Sequence, residues 1–103
     1  MMNTDALITH ARARFDHTAA RRLLKEKYEA KMLFAYNGGM WRAGPELLTL
    51  LQAIPVKDDI VLLDLYSTPV KINPVELQYL ALGRWQEQMT AWLVEHTEQS
   101  KKR

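Results

Sequence analysis

Apolar residues recur at three- and four-residue intervals through the first third of the chain: Ile8, Ala11, Phe15, Ala19, Leu23 and Ala30. That spacing predicts a helix with one buried face. Asn3 or Thr4 is placed to cap it, Asp5 sits near its positive end, and no glycine or proline occurs between residues 4 and 36. The helix is expected over residues 4–30. Glu26 falls on the apolar face, so the pattern is imperfect, and Arg14, Arg21 and Lys25 fall together on a different face.

The pattern changes at Met32. Met32–Tyr36 and Met40–Arg42 are apolar-aromatic runs separated by Asn37-Gly38-Gly39. Asn-Gly between two such runs predicts a hairpin, because a type I′ turn needs positive φ at both central residues. Strands are expected near 31–36 and 40–43. The competing reading carries the helix on through Tyr36 and uses Asn37-Gly38 as its cap. Gly44-Pro45-Glu46 then opens a short helix containing Leu47, Leu48, Leu50, Leu51 and Ile54, which ends before Pro55.

Residues 60–66 form the clearest strand, apolar enough to predict burial on both faces. Ser67-Thr68-Pro69 turns the chain and Val70-Lys71-Ile72 returns, which gives a second hairpin. Asn73-Pro74 is an N-cap followed by proline at the first helical position. The last helix is expected from 74 to about 99, with a frayed tail beyond. Its apolar stripe runs through Leu77, Ala81, Trp85, Met89, Trp92 and His96, widened by Leu82 and Leu93.

The expected fold is one α+β domain over residues 1–103. Two long terminal helices, packed as an antiparallel pair, flank two short β-hairpins and a short middle helix. Side by side, the long helices would bring Ile8, Ala11 and Phe15 near Trp92, Met89 and Trp85. Helices of this length invite self-association, so a homo-oligomer is expected, with Trp41, Trp85, Met89 and Trp92 as the candidate interface.

Composition narrows the chemistry. The chain is 48% apolar and 25% charged, which fits an ordinary globular protein. It has no cysteine, which excludes disulfides and thiolate chemistry. The longest strongly apolar stretch is too short to cross a bilayer, and Asp5, Arg12 and Arg14 break any signal-like run. A cytoplasmic protein without membrane contact is expected. Net charge is +2, and residues 5–31 carry seven Lys or Arg against four Asp or Glu. Arg14, Arg21 and Lys25, with Arg22 and Lys31 nearby, are candidate phosphate contacts. Tyr36 and Trp41 are candidate base-stacking aromatics.

No catalytic, cofactor or metal motif stands out. His10 and His17 lie seven apart, wider than the usual zinc-ligand spacing and without further ligands. His96 near the end of the last helix suits the helix dipole. Gly38-Gly39 lacks the further glycine and the Lys-Ser/Thr of a phosphate loop. The serines, Ser67 and Ser100, fall in a turn and a tail with no matching histidine and acid. Asp58-Asp59 reads as a solvated turn, and Asp64 as a strand-end residue bonding to the turn after it. A non-enzymatic chain without a cofactor is expected.

Residues 36–42 (Tyr-Asn-Gly-Gly-Met-Trp-Arg), 60–64 (Ile-Val-Leu-Leu-Asp) and 69–73 (Pro-Val-Lys-Ile-Asn), followed by a tryptophan-bearing last helix, resemble small uncharacterised proteins of large contractile-tailed bacteriophages. The resemblance spans nearly the whole chain and implies no site. It implies a virion, assembly or accessory role in the host cytoplasm or the virion, with another phage protein as an alternative partner. A small nucleic-acid-binding or regulatory protein is the second expectation.

Overall fold

The computed structural model describes the backbone of residues 4–101 and the side chains of residues 17–101. Helix α1 (Thr4–Lys31) leads into strands β1 (Leu33–Tyr36) and β2 (Gly39–Arg42). Helix α2 (Pro45–Ala53), strands β3 (Ile60–Leu63) and β4 (Pro69–Ile72), and helix α3 (Pro74–Lys101) follow. The fold is α+β, with long first and last helices and two antiparallel two-stranded sheets. Methionine 32 lies in the turn between α1 and β1, so the first strand begins two residues later than its composition implies.

The first hairpin turns at Asn37 (φ 50°) and Gly38 (φ 81°), the positive pair that a type I′ turn requires. The competing capped-helix reading is excluded. Leu33 pairs with Arg42, Phe34 with Trp41, Ala35 with Met40 and Tyr36 with Gly39. Ala43 N–H donates to Met32 C=O at 2.8 Å, one step beyond the strands. Side chains alternate across a strand, and the burial follows: Met32, Phe34, Tyr36, Gly39, Trp41 and Ala43 are all buried on one face. The indole N–H of Trp41 donates to Tyr36 C=O at 3.0 Å, so this tryptophan is satisfied inside the core.

The second hairpin pairs Ile60 with Ile72, Val61 with Lys71, Leu62 with Val70 and Leu63 with Pro69. Its loop is Leu65-Tyr66-Ser67. Ser67 N–H donates to Asp64 C=O at 3.0 Å, Asp64 N–H donates to Thr68 C=O at 2.9 Å, and Ser67 takes φ 63°. This is the three-residue hairpin loop built on a turn followed by a left-handed residue. Two expectations for this region are corrected. The strand stops at Leu63 instead of reaching Tyr66, because Asp64 starts the turn. It is also not buried on both faces: Val61 and Leu63 are each 63% exposed, since no second layer covers a lone two-stranded sheet on its outer side.

Asp64 joins the hairpins. In β2, the Met32–Ala43 bond fixes which pairs are hydrogen-bonded and leaves Met40 as a non-bonded position whose N–H and C=O point away from β1. Met40 N–H donates to Asp64 Oδ2 at 3.0 Å, and Leu65 N–H donates to Met40 C=O at 2.8 Å. Asp64 Oδ1 accepts from Tyr66 N–H and Thr68 N–H, both at 2.9 Å. One carboxylate thus closes its own turn and satisfies the neighbouring strand edge. These three backbone donors, led by Met40 and Thr68, hold its pKa below the ordinary aspartate value. Asn37 Nδ2 adds a bond to Lys71 C=O at 3.1 Å.

The core lies where the two hairpins meet α2 and the first turns of α3. Leu48 and Leu51 of α2, Val70 and Ile72 of β4, and Leu77 and Ala81 of α3 close on Phe34, Tyr36 and Trp41. Asn73 caps α3: its Oδ1 accepts from Glu76 N–H at 3.0 Å, and Pro74 fills the first helical position. The helix continues to Lys101, past the expected end near residue 99.

The molecule is a rod. Its extents are 71 × 25 × 22 Å and its radius of gyration is 20.0 Å, against about 13 Å for a compact chain of 100 residues. Each long helix has 28 residues, so about 42 Å of length. They pair antiparallel, with Tyr28 stacked on Trp92 (centroids 5.9 Å apart, planes 7° apart).

That register corrects the expected pairing of the helices. With Tyr28 beside Trp92, antiparallel helices place residue 19 beside Lys101, where α3 ends. Ile8, Ala11 and Phe15 therefore fall beyond the end of α3 and not near Trp92, Met89 and Trp85. Their side chains lie outside the described residues. The buried stripe of α1 is also shifted: Leu24 and Tyr28 are buried, while Leu23 is 61% exposed and Ala30 is exposed. On α3, Gln88 is buried and Met89 is 39% exposed. The shielded positions 81, 85, 88, 92, 95 and 99 follow alternating steps of four and three, the seam of a coiled coil.

Candidate interaction surface

The seam between α1 and α3 is only partly apolar. Tyr28 is 2% exposed, and its hydroxyl donates to Glu95 Oε1. Lys27 Nζ lies 2.6 Å from the same oxygen. These two bonds, Lys27 first, hold Glu95 below the usual glutamate pKa, while the bond to Glu95 raises Lys27 and Tyr28. Further along, Gln99 Oε1 is buried and accepts no hydrogen bond. Sequence spacing missed this cluster, because the stripe was read at positions 89 and 96. The alternating four-three step through Ala81, Trp85, Gln88, Trp92 and Glu95 is the signal that locates it.

An open groove of about 970 Å³ lies between the two long helices, α2 and the hairpins. Trp85, Met89 and Trp92 of α3 form one wall, and Glu26, Glu29 and Ala30 of α1 another. Leu47 and Leu50 of α2 and Leu63 and Leu65 of the second hairpin complete it, over a floor of Trp41 and Ala43. The structure thus brings all four candidate interface residues to one place. They are not equivalent: Trp41 is 3% exposed and anchors the floor, while Met89 is 39% exposed. Leu50, Leu63 and Leu65 belong to the same surface at 48%, 63% and 38% exposure, and their segments gave no sign of it in sequence. Four carboxylates, Glu26, Glu29, Glu46 and Asp64, and one cation, Arg42, are the charged residues among its apolar lining.

The candidate nucleic-acid residues are placed differently. Arg21 and Lys25 are exposed on α1, and Lys25 Nζ lies 3.8 Å from Glu29 Oε1. Arg14 lies outside the described side chains. Tyr36 and Trp41 are 8% and 3% exposed and offer no ring face to a base.

His17 and His96 are half-buried, and the side chain of His10 lies outside the described residues. Among the described residues, no group of three or more His, Asp or Glu is placed to hold a metal. No described helix is long and apolar enough to cross a membrane. Asp59 Oδ1 accepts from Asn73 Nδ2 at 3.4 Å, so that turn is tied to the start of α3. No protein-family model matches the chain, and comparison with curated proteins and with solved structures finds no similar one.

Proposed function

We propose that the chain is a non-enzymatic protein-interaction module that acts through self-association. One observation carries this: α1 outruns its partner helix. The first half of α1, about 15 residues or about 22 Å, extends past the end of α3. A helix of that length is marginal in water without packing. Its sequence nonetheless carries Ile8, Ala11 and Phe15 at the spacing of a buried stripe. A helix whose backbone runs on past its partner in the same chain is suited to pairing with another chain.

The groove supports the same reading. Its walls are apolar and its polar rim is mostly carboxylate, with no nucleophile or histidine among the lining residues. An open trough of this kind accepts a helix better than it encloses a small substrate. Assembly or accessory work is the role that the sequence resemblance of residues 36–42, 60–64 and 69–73 to small phage proteins implies for such a module. Sedimentation equilibrium over a hundredfold concentration range tests the proposal. A mass at least twice that of the chain is expected, and a strict monomer at the highest concentration refutes it.

A further inference from the structure

We infer that the exposed face of α3 is where two copies of the chain meet, as an antiparallel helix pair about a two-fold axis between residues 87 and 88. This rests on the self-association reading and names the surface and the register that carry it.

Exposure and spacing pick out the face. Val75, Tyr79, Leu82, Gln86, Met89 and Leu93 are all exposed on α3, Tyr79 by 78% and Leu93 by 64%. Their positions step alternately by four and three, the spacing of a coiled-coil seam. This line lies about 120° round the helix from the seam that faces α1, so α3 carries two seams and its own chain fills one. The charged residues of α3 before Lys101 are Glu76, Arg84, Glu87, Glu95 and Glu98, and all lie about 100° or more from the line. The half of the helix surface centred on it is about 38 Å long and on the order of 600 Å². Two copies covering that half bury about 1,200 Å² together, where specific interfaces begin.

Charge and symmetry identify the occupant as a second copy. In a two-fold interface the same patch faces itself, so a charge near the axis meets its like, and a face without charge is one that a copy can cover. The antiparallel register sets Leu82 of one copy opposite Leu93 of the other, Gln86 opposite Met89, and Tyr79 opposite His96. Its axis is also the midpoint of Pro74–Lys101, so the two helices overlap along their whole length. At each end, Glu76 in the first turn of one copy and Lys101 in the last turn of the other lie on the same side of the contact, about 3 Å apart along the axis. Two opposite-charge pairs thus flank the neutral seam. A parallel pair sets Glu76 against Glu76 and Lys101 against Lys101.

The absence of native cysteine makes the test direct. In the full-length chain, Leu82→Cys with Leu93→Cys sets two exposed thiols about 17 Å apart along one helix, too far for a disulfide. Between copies they face each other. Mild oxidation is expected to give a covalent dimer from the double variant in high yield. Each single variant should give little, because like positions are also about 17 Å apart along the axis. Leu93→Glu, at a site already exposed in one chain, is expected to lower the association constant at least tenfold in sedimentation equilibrium, with the far-ultraviolet spectrum unchanged. A dimer that tolerates Leu93→Glu, whose single variants link as readily as the double, or whose double variant is dimeric when reduced yet forms no link, overturns the α3 pairing and leaves self-association standing. A monomer overturns both.

Discussion

Adding one methyl group at Gly39 tests the contact that locks the two hairpins together. The backbone at Gly39 suits alanine, so the effect comes from space alone. The added Cβ would lie 2.9 Å from Val70 Cγ2 and 3.2 Å from both Asp64 Cβ and Trp41 Nε1. Val70 and Trp41 are 8% and 3% exposed, so neither can swing into solvent. Overpacking of this kind costs about 1–3 kcal/mol, and alanine recovers about 0.5–1 kcal/mol of the glycine's unfolded-state entropy. The net expectation for Gly39→Ala is a loss of about 1–2 kcal/mol.

Val70→Ala removes the closest obstacle and, for a buried valine, costs on the order of 2 kcal/mol by itself. In the double variant the new methyl occupies vacated space, so the losses are less than additive by about 1 kcal/mol or more. Urea unfolding followed by tryptophan fluorescence reads all four corners of the cycle, since Trp41 lies at the contact. A Gly39→Ala protein as stable as the parent, or a cycle additive within error, would show that the hairpins do not meet as described.

Three further outcomes follow from local geometry. Ser67→Gly relieves a left-handed residue in the second hairpin loop and is expected to raise stability by about 0.5–1 kcal/mol, read as a higher urea midpoint with unchanged slope. Asn73→Ala removes the cap of α3 and should cost about 1 kcal/mol, with faster amide exchange at Glu76 as its local sign. Asp64 and Glu95 titrate below their ordinary values in the folded protein. Their contribution is therefore present above the unfolded pKa values, near 4, and is lost as pH falls through the lower folded values. Asp64→Asn should be less stable than the parent at pH 7, with the gap closing in acid. A gap that is constant from pH 7 to pH 2 contradicts the three-donor carboxylate.

Much of this fold is written locally. Asn37-Gly38 accepts positive φ, Asn73-Pro74 starts a helix, and alternation from Met32 to Ala43 sorts the first hairpin into two faces. These depend on backbone preferences within a few residues, and sequence alone determined them. Asp64 as a turn residue was also legible, because a carboxylate at a strand end bonds to the turn after it. The helical span of α1 came from its periodicity.

Only the tertiary structure decided how those pieces meet. Periodicity tells which residues share a face but not the axial offset between two helices, so it placed Phe15 beside Trp85 when α3 in fact ends near residue 19. That offset is fixed by Tyr28 on Trp92 and by Glu95 holding Lys27 and Tyr28, contacts between residues some 67 positions apart. Strand composition likewise could not say that nothing covers Val61 and Leu63, because a face is buried only if another element lies on it. The second bond of Asp64, to Met40, and the gathering of Trp41, Trp85, Met89 and Trp92 around one groove arise for the same reason: burial and pairing belong to the arrangement of elements, and local sequence sets only the elements.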